Sequence, residues 1–107
     1  MQVDVEEIHH ALVITPRFRR LDAAVAPKFR DLLAPQLRDR RLVVFVLGNI
    51  EFMDSSGLGC LVALFKQLPP GGVVRLAQVG TELQTALRLT CLDKVLPSFP
   101  TVELAVE

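Results

Sequence analysis

The segment Asp54-Ser55-Ser56-Gly57-Leu58-Gly59 gathers the residues of this chain best suited to chemistry: one carboxylate, two hydroxyls, and two glycines within three positions. It lies where an apolar stretch passes into a helical pattern, and in open α/β sheets functional sites collect on such turns, at the carboxyl ends of strands. A helix N-terminus at this point offers free N–H groups and positive potential, which suit an anion or a phosphorylated hydroxyl. The glycines let another backbone, or a partner, come close. A capped helix with a tight turn explains the same residues equally well.

Enzymatic readings fit the segment poorly. A nucleophile elbow needs Gly-x-Ser-x-Gly, and Met53 and Asp54 stand where its first glycine would fall. The only histidines, His9 and His10, are adjacent to each other near the N-terminus, so pairing either with Ser55 or Ser56 is an unfavourable arrangement for serine hydrolysis. A Walker loop needs lysine after its last glycine, and Cys60 stands there; Gly57-Leu58-Gly59 lacks the third glycine of a dinucleotide fingerprint. Cys60 and Cys91 sit among apolar residues, where a reduced thiol packs as a small hydrophobe. With only the His9-His10 pair as further soft ligands, a zinc site is not expected. A disulfide is disfavoured in a reducing compartment.

The elements that must position the segment follow from hydropathy patterning. Val3, Val5 and then Ile8 to Ile14 read as two short strands of a hairpin that Pro16 ends, with His9 and His10 on a strand and pointing to opposite faces. Asp22 to Leu37 carries Val25, Phe29, Leu32, Leu33 and Leu37 on one helical stripe, with Asp22 as N-cap. Pro27 marks an alternative start, and Pro35 is expected to bend or end the helix. Leu42 to Leu47 is apolar without alternation, as in a strand covered on both faces. Phe52 and Met53 continue or follow it. A second helix carries Leu58, Leu61, Val62, Phe65 and Leu68, with Ser56 as its N-cap, until Pro69-Pro70-Gly71-Gly72 stops it. Val73 to Val79 is a third core strand, Thr81-Glu82-Leu83-Gln84 has capping-box spacing for a third helix, and Leu92 to Val95 adds a helical turn. Val102, Leu104 and Val106 alternate like a last strand. Strands joined by helix-sized crossovers imply a mostly parallel sheet. The expected fold class is a small α/β domain with an N-terminal hairpin and packed helices.

The 107 residues suit a single domain, residues 1–107. Half are apolar, and twelve basic and twelve acidic side chains cancel to zero formal charge. That balance offers no general attraction to nucleic acid or an anionic membrane. No apolar run reaches a membrane-spanning length, and the acidic start, Met-Gln-Val-Asp-Val-Glu-Glu, is unlike a secretory signal, so a cytoplasmic protein is expected. Arg17, Arg19 and Arg20 form one basic cluster and Arg38, Arg40 and Arg41 another, both read as solvated rims. Phe18, between arginines, is either a contact residue or a lid on the core.

Phe52-Met53-Asp54-Ser55-Ser56-Gly57-Leu58-Gly59 closely resembles the signature of STAS domains, specifically of bacterial anti-sigma factor antagonists. Leu21-Asp22-Ala23-Ala24 with Ala26-Pro27, Gly71-Gly72 before a strand, and Leu87 to Leu96 resemble further landmarks, so the likeness spans nearly the whole chain. The resemblance implies a binding module, not an enzyme, that needs no cofactor. Its partner is an anti-sigma factor that is also a serine kinase, and a phosphoserine phosphatase reverses the kinase's action. It implies phosphorylation at Ser55, with Ser56 as runner-up, and partner contacts at Asp22, Asp54, Ser55, Ser56, Gly57, Leu58 and Gly59. It implies a monomer that pairs with its kinase, without direct nucleic-acid binding or membrane insertion. A constitutive STAS scaffold of a transporter or signalling complex, without a phosphate cycle, is the alternative. Arg19, Val46 and Cys91 depart from the pattern, at positions where the family usually has glycine, Asp or Asn, and glycine.

Overall fold

A computed structural model describes residues 1–107. Strands β1 (Val3–Ile8) and β2 (Ala11–Pro16) form the hairpin, followed by the two-residue β3 (Arg20–Leu21) and helix α1 (Ala26–Leu37). Then come β4 (Leu42–Val46), β5 (Phe52–Met53), α2 (Ser55–Phe65), β6 (Val73–Ala77) and α3 (Thr81–Leu89). A 3₁₀ turn (Leu92–Lys94), β7 (Ser98–Phe99) and α4 (Val102–Ala105) complete the chain. The main sheet has the order β1-β2-β4-β6-β7, antiparallel only between β1 and β2 and parallel elsewhere. This is the expected fold class.

The alternation of side chains divides the sheet's residues between two apolar clusters. On one side Leu12, Ile14, Phe45 and Leu76 pack with Phe29, Leu33, Leu61, Leu64 and Leu87 from the three long helices. On the other, Ala11, Val13, Val44, Val46 and Ala77 are met by Ala105 and Val106. Val46 is therefore an apolar member of this second cluster, a setting that suits valine. Phe18 packs edge-to-face on Phe29, with ring centroids 5.7 Å apart, so it caps the core.

Several local expectations are corrected. Val102, Leu104 and Val106 do not form a strand. Val102, Ala105 and Val106 make a helical stripe instead, Thr101 Oγ1 accepts from Leu104 N at 3.2 Å as N-cap, and Leu104 faces solvent. Helix α1 begins at Ala26 rather than at Asp22, with Pro27 in its first turn, where a missing N–H costs nothing. Pro35 does not end the helix. It lies in the last turn and is exposed, where its missing N–H forfeits a single helical hydrogen bond. Gly80, not Thr81, is the N-cap of α3, and no side chain caps it. His9 and His10 form the two-residue hairpin turn at φ 50° and 71°, a left-handed conformation that favours Asn-Gly.

Part of each basic cluster is paired at the surface. Arg17 meets Asp4 at 2.6 Å, Arg20 meets Asp22 at 3.4 Å, and Arg40 meets Glu7 at 2.6 Å. The Arg40 hydrogen bond and charge hold the Glu7 carboxyl below the usual range. No helix is long and apolar enough to cross a membrane. Cys91 is exposed, not packed among apolar residues, and adopts φ 59° between α3 and the 3₁₀ turn. Left-handed backbone costs an ordinary residue about 1–2 kcal/mol, while glycine adopts it freely. Cys91→Gly should accordingly raise stability, by about 1 kcal/mol, read as a higher urea midpoint with unchanged m-value.

Candidate functional site

The site is built by a small ladder separate from the main sheet. β3 and β5 pair in parallel, with Arg20 opposite Phe52 and Leu21 opposite Met53. The pairing sets the turn after β3 beside the turn after β5, so Asp22-Ala23 lies against Asp54. Arg19 contributes through its backbone, its carbonyl accepting from Glu51 N at 2.7 Å and Phe52 N at 3.1 Å. Its φ is not in the left-handed region, so arginine fits where the family pattern has glycine.

Asp54 is the N-cap of α2, in extended conformation at φ −99° and ψ −172°. Its Oδ1 accepts from Gly57 N at 3.0 Å, and its Oδ2 accepts from Ala23 N at 3.2 Å. One carboxylate thus closes a helix end and ties that end to the start of α1. Asp22 serves the neighbouring turn. Its Oδ1 accepts from Ala24 N at 3.1 Å and Val25 N at 3.3 Å, and its carbonyl accepts from Ala26 N at 2.8 Å.

The N-cap assignment to Ser56 is overturned. Aspartate is as good an N-cap as serine, and Asp54 is the residue whose oxygen reaches the amide three positions on. Ser55 and Ser56 are therefore the first two residues of α2, both exposed, and neither hydroxyl is engaged in a hydrogen bond. The helix is one residue pair longer than a Ser56 cap would make it.

The two glycines have different tasks. A Cβ on Gly57 would collide with the Leu21 carbonyl oxygen and lie 2.7 Å from Met53 Cγ, so this glycine lets α2 sit directly on the β3–β5 ladder. A Cβ on Gly59 would meet nothing within 4 Å, and the residue is exposed. A helix-interior glycine that no neighbour requires leaves its face open for close approach from outside. Leu58 is half-buried against the main core.

Beside the serines, a groove of about 260 Å³ runs between α1 and α2, lined by Ala26, Pro27, Ser56, Gly59, Cys60 and Ala63. The Cys60 thiol donates to Ala26 O at 3.5 Å, and burial pushes it up to about 11. On the other flank the Arg20 guanidinium stacks 4.2 Å over the half-exposed Phe52 ring. Asp22, Asp54, Ser55, Ser56, Gly57 and Gly59 are thus brought together at the carboxyl ends of the strands. The His9-His10 turn, the Arg38–Arg41 cluster and Cys91 precede β2, β4 and β7 respectively, at the opposite end. Sequence reasoning missed the β3–β5 ladder. Its signal was only the apolar pair Phe52-Met53 set apart from the longer strand.

Comparison with known proteins places this geometry in context. The STAS domain family model matches residues 2–105. A protein named anti-sigma F factor antagonist from Paenibacillus polymyxa is 30% identical over 103 residues, covering 92% of this chain and 88% of that protein. The crystal structure of an anti-sigma factor antagonist from Mycobacterium paratuberculosis superposes with a TM-score of 0.86 at 24% identity, covering 98% of this chain and 90% of that one. The murine solute carrier 26 family member A9 anion transporter contains a similar fold, with a TM-score of 0.75 at 19% identity over 94% of this chain but 18% of the transporter.

Two sets of variants test the roles assigned to these residues. In urea denaturation, Asp54→Ala should cost about 1–2 kcal/mol through loss of the cap, whereas Ser56→Ala should stay within about 0.5 kcal/mol as a surface change. Gly57→Ala should be destabilising by about 3 kcal/mol because a backbone oxygen stands in the way, and Gly59→Ala should stabilise by about 1 kcal/mol. Thiol titration should separate the cysteines: at neutral pH Cys91 reacts promptly with a disulfide reagent, and the high-pKa, buried Cys60 reacts only as the protein unfolds.

Proposed function

The chain belongs to the STAS domain family, and from that premise we propose that it is an anti-sigma factor antagonist switched by phosphorylation. It binds an anti-sigma factor/serine kinase while Ser55 is unmodified and releases it once Ser55 carries phosphate. A phosphoserine phosphatase resets the switch. The module acts in the cytoplasm as a monomer that pairs with its kinase. The observation that carries this reading is the free, exposed Ser55 hydroxyl at the head of α2, beside an Asp54 carboxylate already committed to Gly57 N and Ala23 N. The antagonist name of the Paenibacillus relative supports it.

The arrangement suits binding better than catalysis. A serine nucleophile needs a base within hydrogen-bond reach, and both histidines lie in the hairpin turn at the far end of the sheet. Asp54 has its two oxygens occupied by amides and is placed to hold structure. Asp22, Asp54, Ser55, Ser56, Leu58 and Gly59 then form the contact surface, while Gly57 works from beneath it.

Charge explains how one group could end the binding. Phosphate adds about −1.5 to −2 charge next to Asp54 and near Asp22. Within the free domain the N-terminus of α2 offsets part of the repulsion, by up to about 1 kcal/mol at an exposed position. The fold survives. In a complex the phosphate must be desolvated against a surface shaped for a hydroxyl, and an unpaired buried charge costs about 3–5 kcal/mol. Each 1.4 kcal/mol or so is tenfold in affinity, so about 3 kcal/mol moves a nanomolar complex toward micromolar.

Ser56 is the rival acceptor, and its hydroxyl is equally free; it differs in lining the groove between α1 and α2. The scaffold reading draws on the likeness to a segment of an anion transporter. One series of measurements separates all three. Purified cognate kinase should phosphorylate wild type and Ser56→Ala but not Ser55→Ala. Calorimetry should give Ser55→Ala the wild-type affinity and Ser55→Asp at least a hundredfold weaker binding, with melting temperatures within a few degrees. Modification of Ser55→Ala alone would move the switch to Ser56, and equal binding by all variants would leave the scaffold.

A further inference from the structure

A second concavity opens on the other side of β5 from the serines. It has a volume of about 390 Å³ and lies beyond the carboxyl ends of β4 and β6, between β5 and α3. Leu47, Ile50, Met53, Leu83 and Ala86 give it an apolar floor, and the half-exposed Phe52 forms one wall. The charged residues lining it are Glu51 and Glu82; no basic side chain does so. Glu51 faces Arg19 at 3.6 Å on its outer side, a pair exposed on both partners and therefore weak, and Glu82 has no cationic partner. Arg20, which stacks on Phe52, is paired with Asp22 and does not line the groove; the N-terminus of α3 brings roughly half a positive charge, which the unpaired Glu82 carboxylate outweighs.

We infer that this groove is a second docking point for the protein that binds at Ser55, and that it takes a basic side chain of that partner. An arginine or lysine has the matching shape: an aliphatic stem to lie on the apolar floor and a cationic head to meet carboxylates at the rim. Arginine is among the residue types enriched at interface hot spots, and an aromatic ring attracts a guanidinium. The groove adjoins the switch through the chain itself, because Phe52-Met53 runs directly into Asp54-Ser55. A partner anchored here is held against the serine face, so an added phosphate is not easily evaded by a shift in docking. The inference rests on the proposed antagonist function for the identity of the partner, but the chemistry of the groove stands apart from it.

Two measurements keep these apart. Amide NMR titration of the full chain with n-butylguanidinium, an arginine side-chain mimic, should shift resonances of Ile50–Met53 and of residues 80–86. Glu51→Gln/Glu82→Gln should weaken that binding at least tenfold, and uncharged n-pentanol should bind far more weakly than the guanidinium. Equal response to n-pentanol, no response at these residues, or preferential shifts with inorganic phosphate at the head of α3 would overturn the assignment of a basic ligand. In calorimetry against the cognate kinase, Glu51→Lys/Glu82→Lys should lose at least tenfold in affinity with an unchanged melting temperature. If wild type and this variant bind the kinase equally, the docking role falls and the switch stands. If wild type itself does not bind the kinase, the antagonist reading falls, and with it the partner named here.

Discussion

The structure hangs on one carboxylate. Asp54 closes the first turn of α2 with one oxygen and holds the turn before α1 with the other, the second bond spanning 31 residues of chain. Both oxygens are committed, so the helix end and the loop between β3 and α1 share one anchor, and the exposed serines stand directly beside it. Ser55 and Ser56 are presented by a backbone held on three sides: by the Asp54 cap, by the β3–β5 ladder, and by Gly57 lying directly on the Leu21 carbonyl.

This arrangement also separates the apolar groups that hold the fold from the polar groups around the serines. Stability comes from the sheet and the three long helices, whose contacts are apolar and contain no buried charge. The end that carries Ser55 and Ser56 is polar, and its acidic residues either hold turns, like Asp54 and Asp22, or face solvent. A charge added to such a surface is tolerated in the free domain, where water and a helix N-terminus attend it, and resisted in a complex. A binding module of this kind can be switched electrostatically without unfolding. Departures from the family pattern follow the same division: Val46 and Cys91 concern packing and backbone, and Arg19 alone stands beside the serine-bearing end.

Much of the fold was legible in the sequence. The unbroken apolar run of β4, the helical stripes of α1 and α2, and the Pro-Pro-Gly-Gly stop each identified an element, because burial imposes periodicity directly on residue type. The short elements were less legible. Val102, Leu104 and Val106 alternate as a strand would, yet four residues fit one turn of helix equally well, and the far face of the sheet required a helix to cover it. His9 and His10 carry none of the Asn-Gly signature of their turn; pairing of the flanking strands forces them into it.

At the candidate site, the sequence by itself gathered the polar residues and glycines into one segment, and the tertiary structure decided what each one holds or faces. Asp-Ser-Ser-Gly-Leu-Gly marks a helix start, since those residue types favour that position whatever the surroundings. Which residue caps the helix was beyond local reading. Asp54 and Ser56 are both competent caps, and the choice went to Asp54, which also serves Ala23 N across the β3–β5 ladder. Nor could the sequence tell the glycine beneath the surface from the glycine upon it. Gly57 and Gly59 differ only in what faces them, the Leu21 carbonyl or open solvent, and that is settled by contacts between segments far apart in the chain.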